Sequence, residues 1–299
     1  MTYDEDKRDD EGSAGAVSRR GFTAGSVAVT GLAAASTAGA AAVQVVETNV
    51  SVKTPDGVSD GVFVHPAGSG SWPGVLIWPD AFGLRPAMRD FAKRLAADGY
   101  AVLVPNPFYR TAKAPVFDNV ATFDFANTAD RAKLTTMTGP LNGPGAAERD
   151  AVAYVAWLDA QPQVNKAKKI GTQGYCMGGP LVMKTAAAVP ARVGAVASFH
   201  GGGLVTANPD SPHLLAPKIK ARLYIGIASN DDMGQPDAKD KLKAAFAAAG
   251  DPAEIEVYAS RHGWCVPDMP AAPGMPIYNR PDAEKAWGKL VALYKTALA

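Results

Sequence analysis

Short apolar strands that alternate with helical segments are the feature that most constrains the fold of this 299-residue chain. Gly74–Trp78 is a continuous apolar run, as expected for a strand that is buried on both faces of a sheet. Because alternating strands and helices build a parallel sheet covered on both faces, the pattern predicts an α/β fold with a mostly parallel sheet. The predicted strands are Val43–Val52, Gly61–His65, Gly74–Trp78, Tyr100–Pro105, Lys169–Tyr175, Ala195–Phe199, Leu223–Ala228 and Ala253–Ala259. The predicted helices are Met88–Ala97, Ala146–Ala160, Met177–Ala188, Asp237–Ala248 and Asp282–Leu298.

Two segments depart from this alternation. The first two strands flank the turn sequence Thr54–Gly57, which predicts a β-hairpin. The segment Asn106–Pro144 is less regular and holds several prolines and glycines. A long irregular segment of this kind predicts a lid or an insertion on the substrate side.

The composition indicates a soluble domain with a substantial core. Apolar residues make up 47% of the chain and charged residues 20%, which is ordinary for a soluble enzyme. The net charge is +1, from 30 basic and 29 acidic residues, and gives no electrostatic argument for nucleic acid or an anionic membrane as partner. No internal repeat or interdomain linker is evident, so residues 43–299 are predicted to form one domain.

The first 42 residues have the three-part layout of an export signal. A charged start, Met1–Asp10, precedes the paired arginines Arg19 and Arg20, and Gly25–Ala42 is small and apolar. Paired arginines in this position resemble the twin-arginine signal, so we expect a cleaved leader, the twin-arginine export machinery as partner, and a periplasmic or secreted protein. The alternatives are a disordered Ala-rich tail or an uncleaved anchor, for which a stretch of Ala, Gly, Ser and Thr is poorly suited.

A glycine-flanked cysteine lies between a predicted strand and a predicted helix. The sequence Gly174–Gly178 is G-x-C-x-G, and in this context it predicts a nucleophile elbow with Cys176 in the place of serine. The helix N-terminus favours a thiolate there, and the backbone N–H of Met177 becomes an oxyanion donor. The competing interpretation is a buried structural cysteine beside packing glycines.

Candidate partners for this cysteine follow it in the chain. The α/β-hydrolase order is nucleophile, acid, histidine. The strand Leu223–Ala228 leads to Asp231 and Asp232, and either fits the acid or, alternatively, a helix cap. The next strand leads to His262, which is the only histidine beyond residue 213 and would otherwise be a surface-loop residue.

The remaining histidines and cysteines receive other interpretations. The sequence His200–Gly203 matches the HGGG oxyanion motif of lipases, but that motif precedes the nucleophile, so His200 is instead expected at a strand end near the pocket rim. His65 and His213 are predicted to be surface or packing residues. Two cysteines build no disulfide framework and no metal-ligand pattern, so no metal or cofactor is predicted, although a Cys176–Cys265 disulfide stays open.

From Val43 to the C-terminus, the chain resembles the dienelactone hydrolase family of α/β-hydrolases. The most specific motifs are Gly174–Gly179 and His262–Trp264. The resemblance implies a single cofactor-free domain, and it favours Asp231 as the acid because family members place it directly after a strand-end A-x-N segment. Asp232 is the fallback.

The resemblance also implies two roles for the segment Pro79–Gly83. The N–H of Ala81 matches the second oxyanion donor of the family. Asp80 stands where the family has a glutamate that assists the cysteine, and it is one methylene shorter. Known members hold the substrate carboxylate with an arginine after the histidine. Here residues 263–268 contain no arginine and Asp268 would repel a carboxylate, so we expect a substrate other than dienelactone.

These features predict hydrolysis of an ester or a lactone through an acyl-thioester on Cys176, with Asp231 and His262 completing a Cys-His-Asp triad. A non-catalytic exported binding protein on the same fold is the alternative. A thiol redox protein that uses Cys176 and Cys265 is a third possibility.

Overall fold

A single eight-stranded sheet organises the computed structural model, which describes residues 43–251, 253–270 and 276–299. The strands in chain order are β1 (Val45–Thr54), β2 (Gly57–Pro66), β3 (Gly74–Trp78), β4 (Ala101–Pro105), β5 (Ile170–Tyr175), β6 (Val193–Phe199), β7 (Arg222–Ala228) and β8 (Glu254–Tyr258). Across the sheet their order is β1-β2-β4-β3-β5-β6-β7-β8.

Seven α-helices belong to the described part of the chain. They are α1 (Pro86–Ala97), α2 (Thr128–Thr138), α3 (Ala146–Asp159), α4 (Gly178–Ala188), α5 (Ser229–Gly234), α6 (Ala238–Ala248) and α7 (Arg280–Ala297). Three short 3₁₀ segments add to them, at Val120–Thr122, Pro140–Asn142 and Pro212–Lys218.

The strand pairing confirms the predicted hairpin and the mostly parallel sheet. Strands β1 and β2 are antiparallel neighbours, with Val45 opposite Pro66 and Thr54 opposite Gly57. Strand β2 also pairs antiparallel with β4, and every other neighbouring pair is parallel. The fold is of the α/β-hydrolase type. The carboxyl ends of β3, β5, β6, β7 and β8 therefore meet at one edge of the sheet, where ligands of open α/β sheets bind.

Two hydrophobic clusters cover the two faces of the sheet, because alternate residues of a strand point to opposite faces. In β3, Leu76 and Trp78 belong to one cluster, whereas Val75 and Ile77 belong to the other. Helices α3, α4 and α6 contribute to the first cluster, and α1 and α7 contribute to the second. The strand edge that carries the loops is thus supported from both sides.

The segment predicted to be irregular, Asn106–Pro144, contains a helix that the sequence pattern did not predict. Helix α2 has no buried residue, so it lacks the apolar stripe from which helices are recognised. Its start is fixed by the Asn127 side chain, which accepts hydrogen bonds from the N–H groups of Ala129 and Asp130.

Helix α3 is amphipathic. Its Val152 faces outward and is 47% exposed, although the sequence pattern Val152, Val155 and Leu158 predicts these three residues on one apolar side. The buried side includes Ala151, Tyr154, Val155 and Leu158, which repeat at the spacing of three and four residues that one helix face requires.

The predicted export leader, residues 1–42, lies outside the described residues. Within the part of the chain that is described, no helix combines the length and the apolarity that crossing a bilayer requires.

Candidate active site

Cys176 occupies a strained turn between β5 and α4. Its φ of +51° lies in the left-handed region, which is costly for a residue with a side chain. The backbone N–H of Cys176 donates to the carbonyl of Phe199 at 3.0 Å and to Nδ1 of His200 at 3.1 Å. The residue is half-buried, so the sulfur is presented at the sheet edge as a nucleophile elbow requires.

The two glycines that flank this turn are required by close backbone approaches. A Cβ on Gly174 would lie 2.2 Å from the carbonyl oxygen of Gly178. A Cβ on Gly178 would lie 2.4 Å from the carbonyl oxygen of Trp78 and 2.9 Å from that of Pro79. Any larger residue would push the elbow away from the end of β3.

Two backbone N–H groups, one in the elbow and one in the turn after β3, are candidates to stabilise an oxyanion. Met177 directly follows Cys176, and Ala81 belongs to the turn after β3, whose start lies against Gly178. Neither N–H donates to a backbone carbonyl within the described residues. Both donors thus stay free for an oxygen that develops negative charge.

The histidine and one of the two candidate acids lie side by side. Nδ1 of His262 is 2.8 Å from Oδ2 of Asp231. Asp232 instead pairs with Lys239 at 2.6 Å. Both aspartates lie in α5, a short helix that was not predicted. The Asn230 side chain accepts the backbone N–H of His262 at 2.7 Å, which joins the histidine loop to the acid.

The surroundings of His262 favour its charged form. Burial lowers the pKa of the imidazole, but the hydrogen bond with Asp231 and the interaction with the Cys176 side chain outweigh it and raise the pKa to about 10. The Cys176 side chain therefore lies close enough to act on His262, although it makes no well-aligned hydrogen bond with any described residue. Catalytic hydrogen bonds often align only when substrate is bound.

Asp80 forms a buried ion pair that the sequence pattern did not reveal. Its two carboxylate oxygens accept from Arg85 at 2.7 and 2.9 Å, and Oδ1 also accepts the backbone N–H of Phe82 at 2.9 Å. No hydrogen bond joins Asp80 to Cys176, so its predicted assistance to the nucleophile stays a prediction. In the structure, the hydrogen bonds of Asp80 to Phe82 and Arg85 fix the turn that contains Ala81.

Arg85 is the missed residue at this site, and its hydrogen-bonding capacity is fully used. The guanidinium is 3% exposed and also binds both carboxylate oxygens of Asp268 at 2.8 Å and the carbonyl of Gly83 at 3.2 Å. Burial lowers the pKa of Arg85, but the charges of Asp80 and Asp268 raise it further than burial lowers it. With five N–H donors engaged, Arg85 has none left for a substrate.

The other histidines do not reach the sulfur with a side chain. His200 directly follows β6 as expected, and it is fully buried. His65 packs on Trp72 with ring centroids 5.9 Å apart, and His213 bonds the hydroxyl of Ser211. Both behave as the packing residues that were predicted.

The second cysteine is buried next to Tyr175, with which it lines one cavity. Cys265 is 6% exposed, and burial raises the pKa of its thiol well above the usual range. Both cysteines are free. Within the described residues, no group of three or more His, Cys, Asp or Glu side chains is arranged for a metal ion.

A cavity of about 270 Å³ lies beside the acid. It is bounded by the glycine segment 201–203, by Asp231 and Asp232, and by apolar side chains that include Leu204 and Leu242. The glycine segment that resembled a lipase motif thus lines space next to Asp231.

Known proteins resemble this chain over most of its length. The model of the dienelactone hydrolase family matches residues 59–298. A protein of Synechocystis sp. provisionally named as a carboxymethylenebutenolidase is 28% identical over 244 residues, which cover 80% of this chain and 92% of that protein. The carboxymethylenebutenolidase of Rhodococcus opacus is 28% identical over 191 residues, which cover 64% of this chain and 69% of that protein.

A solved structure shows the same fold. The dienelactone hydrolase-like promiscuous phosphotriesterase from metagenomic libraries superposes with a TM-score of 0.69 and 24% identity. The superposition covers 85% of this chain and 99% of that one.

Proposed function

Because this chain belongs to the dienelactone hydrolase family and is a hydrolase, we propose that it cleaves an ester or a lactone with Cys176 as nucleophile. His262 is the proton carrier, and Asp231 orients His262 and stabilises its charged form. One observation carries this proposal: a half-exposed cysteine at a strained elbow lies beside a histidine whose far nitrogen is 2.8 Å from a carboxylate.

The first half of the reaction forms a thioester. The sulfur of Cys176, as thiolate, attacks the carbonyl carbon, and the carbonyl electron pair moves to oxygen. The N–H groups of Met177 and Ala81 donate to that oxyanion. When the tetrahedral intermediate collapses, the C–O bond breaks and the imidazolium of His262 donates its proton to the leaving oxygen.

The second half of the reaction releases the acid. Neutral His262 takes a proton from water, and the hydroxide attacks the thioester carbonyl. The C–S bond breaks, the carboxylic acid leaves, and the returning thiolate again faces an imidazolium. The Asp231 carboxylate stays ionised throughout and holds Nδ1 of His262.

The direct test compares Cys176→Ala and Cys176→Ser with the wild-type chain on small activated esters, lactones and thioesters. Cys176→Ala should lower kcat by about 10⁴-fold or more while circular dichroism and Tm stay unchanged. Intact mass after rapid acid quenching should show an acyl adduct on the wild-type protein. Full turnover by folded Cys176→Ala would exclude Cys176 as the nucleophile. If neither the wild type nor a variant turns over any of these substrates, the binding-protein alternative is favoured.

The leader supports a proposal about location. We infer that residues 1–42 direct export through the twin-arginine machinery and that the mature chain is periplasmic or secreted, because Arg19 and Arg20 precede a small apolar stretch. The double variant Arg19→Lys, Arg20→Lys should stay unprocessed inside the cell, as measured by intact mass after cell fractionation. Normal processing and export of this variant would exclude the twin-arginine route.

A further inference from the structure

Two strained residues at the sheet edge are joined by a hydrogen bond. Cys176 and His200 are the non-glycine residues with positive φ in the described part of the chain, at +51° and +42°. Nδ1 of His200 accepts the backbone N–H of Cys176 at 3.1 Å. Because strain of this kind persists only where the surroundings enforce it, the pair is held as one unit.

His200 is fixed by its own strand as well as by the cysteine. Its backbone N–H donates to the carbonyl of Gly226 in β7 at 2.8 Å, and the residue is fully buried. The left-handed turn at His200 folds its ring back over the end of β6, toward the elbow that follows β5. His200 thus links the ends of three adjacent strands, to β7 through its backbone and to the elbow after β5 through its side chain.

The same ring supports the loop that carries the catalytic imidazole. The ring centroids of His200 and His262 are 4.9 Å apart with the planes at 61°, and those of His200 and Trp264 are 5.1 Å apart at 69°. Both are edge-to-face contacts of the kind that aromatic rings prefer. His262 therefore rests on the residue that also holds the backbone of Cys176.

His200 is neutral in this position. Because Nδ1 accepts a hydrogen bond, the ring proton is on Nε2, a buried atom with no partner within the described residues. Burial, together with the nearby His262, lowers the pKa of His200 well below its usual range. The titratable groups that face it are Cys176, His262 and Tyr175, whose ring centroid is 6.1 Å away. Because the His200 ring is neutral, it places no second positive charge beside the charged His262 ring.

We propose that His200 is a positioning residue that fixes the Cys176 elbow through Nδ1 and the His262 ring through its own ring, and so sets the approach of imidazole to sulfur. This role rests on the proposed function, since it serves the same cysteine and histidine. It touches no reacting atom. A misplacement of about 1 Å between reacting groups can cost on the order of 100-fold in rate, so a single support of this kind has a measurable effect.

The test uses the full chain and the pair His200→Asn and His200→Gly. Both replacements tolerate positive φ, but only asparagine keeps an acceptor for the N–H of Cys176. The readouts are ester kcat and KM, Tm, and the iodoacetamide alkylation rate of Cys176 at pH 7 by peptide mass spectrometry. Buried Cys265 is the internal reference, and His213→Asn is the matched control at a remote histidine.

In His200→Gly, kcat should fall about 100-fold below that of the wild type with KM unchanged, because the elbow and the imidazole are no longer fixed against each other. The alkylation rate of Cys176 should change in the same variant, because the elbow no longer holds the sulfur in one position. His200→Asn should lie between the two, and His213→Asn should match the wild type.

An unchanged kcat in both His200 variants, or equal losses of kcat in the two, would overturn the positioning role even if Tm falls. A loss that appears in KM with kcat unchanged would overturn it as well, because the support of the reacting groups would then not be affected. An active Cys176→Ala variant removes the proposed function on separate grounds, so the two failures can be distinguished.

Discussion

At the residue scale, the Asp231 carboxylate holds Nδ1 of His262 and leaves the other ring nitrogen to exchange protons. Asp232 is its natural control, since it lies next in the chain and pairs with Lys239 instead. Asp231→Asn should lower kcat by up to about 10⁴-fold, because an amide N–H at this position favours the wrong tautomer. Asp232→Asn should stay within a few-fold of wild type. Steady-state kinetics on one activated ester measures kcat for both variants. Equal losses of kcat in the two would contradict the assignment of Asp231 as the partner of His262.

The charge of the substrate is a second property set by single residues. Arg85 is saturated by Asp80 and Asp268, and the Asp268 side chain is 37% exposed. A neutral 4-nitrophenyl acetate should therefore be preferred to the 4-nitrophenyl monoester of succinic acid. In Asp268→Asn two guanidinium N–H groups lose a charged partner, so kcat/KM for the charged ester should rise about tenfold relative to the neutral one. Asp237→Asn, at an exposed aspartate, is the control, and an unchanged ratio would show that Arg85 does not meet the substrate.

The sequence reveals those site residues whose positions follow from local patterns or chain order. Cys176 has a motif in a strand–turn–helix context, and His262 is the only histidine in the segment that the order requires. Arg85 has no such signal, because its partner Asp268 is 183 residues away in the chain. The burial of His200 depends equally on tertiary packing, so its position after a strand could be predicted but its exposure could not.

At the element scale, the sequence predicts the eight strands of the sheet and five of the seven described α-helices, but not α2 and α5. The predicted strands match the observed ones to within a few residues, except that β2 begins four residues before the predicted Gly61. Helix α2 was missed since none of its residues is buried, and α5 was missed since six residues are too few to show a helical period. These short elements belong to the loops around the site, whose conformation depends on contacts distant in sequence.

The junction of β5 and α4 gives a prediction at this scale, with two helical glycines as a matched pair. In Gly178→Ala the new methyl group would lie 2.4 Å from the carbonyl oxygen of Trp78, so the substitution should destabilise the fold by about 1–3 kcal/mol and move the turn that carries Ala81. In Gly288→Ala, within α7, the new methyl group would meet no described atom within 4 Å apart from its chain neighbours and the backbone of its own helix, and the fold should gain about 0.5–1 kcal/mol. Urea unfolding measures both, and a neutral Gly178→Ala would contradict the close approach.

At the scale of the whole molecule, the two hydrophobic clusters stabilise the fold, whereas the strained edge of the sheet carries the candidate site. Helices on both faces bury the sheet, and this burial offsets the cost of holding Cys176 and His200 at positive φ. The carboxyl ends of adjacent parallel strands then bring together groups from β5, β6, β7 and β8. The site therefore depends on the entire sheet, although each of its members is supplied by a short loop.

The free energy of unfolding of the whole molecule should depend on pH through the charge of His262. The pKa of His262 is about 10 in the folded protein and about 6.5 in an unfolded chain, so its contribution is complete below pH 6.5 and is lost as the pH rises toward 10. Between those limits the folded state binds more protons than the unfolded state, and the free energy of unfolding falls with pH. His262→Gln lacks this group while every other titrating residue stays. The difference in unfolding free energy between wild type and His262→Gln, from urea titrations at several pH values, should therefore decrease from pH 6.5 to pH 10. Parallel curves would show that His262 is not held as an imidazolium between Asp231 and Cys176.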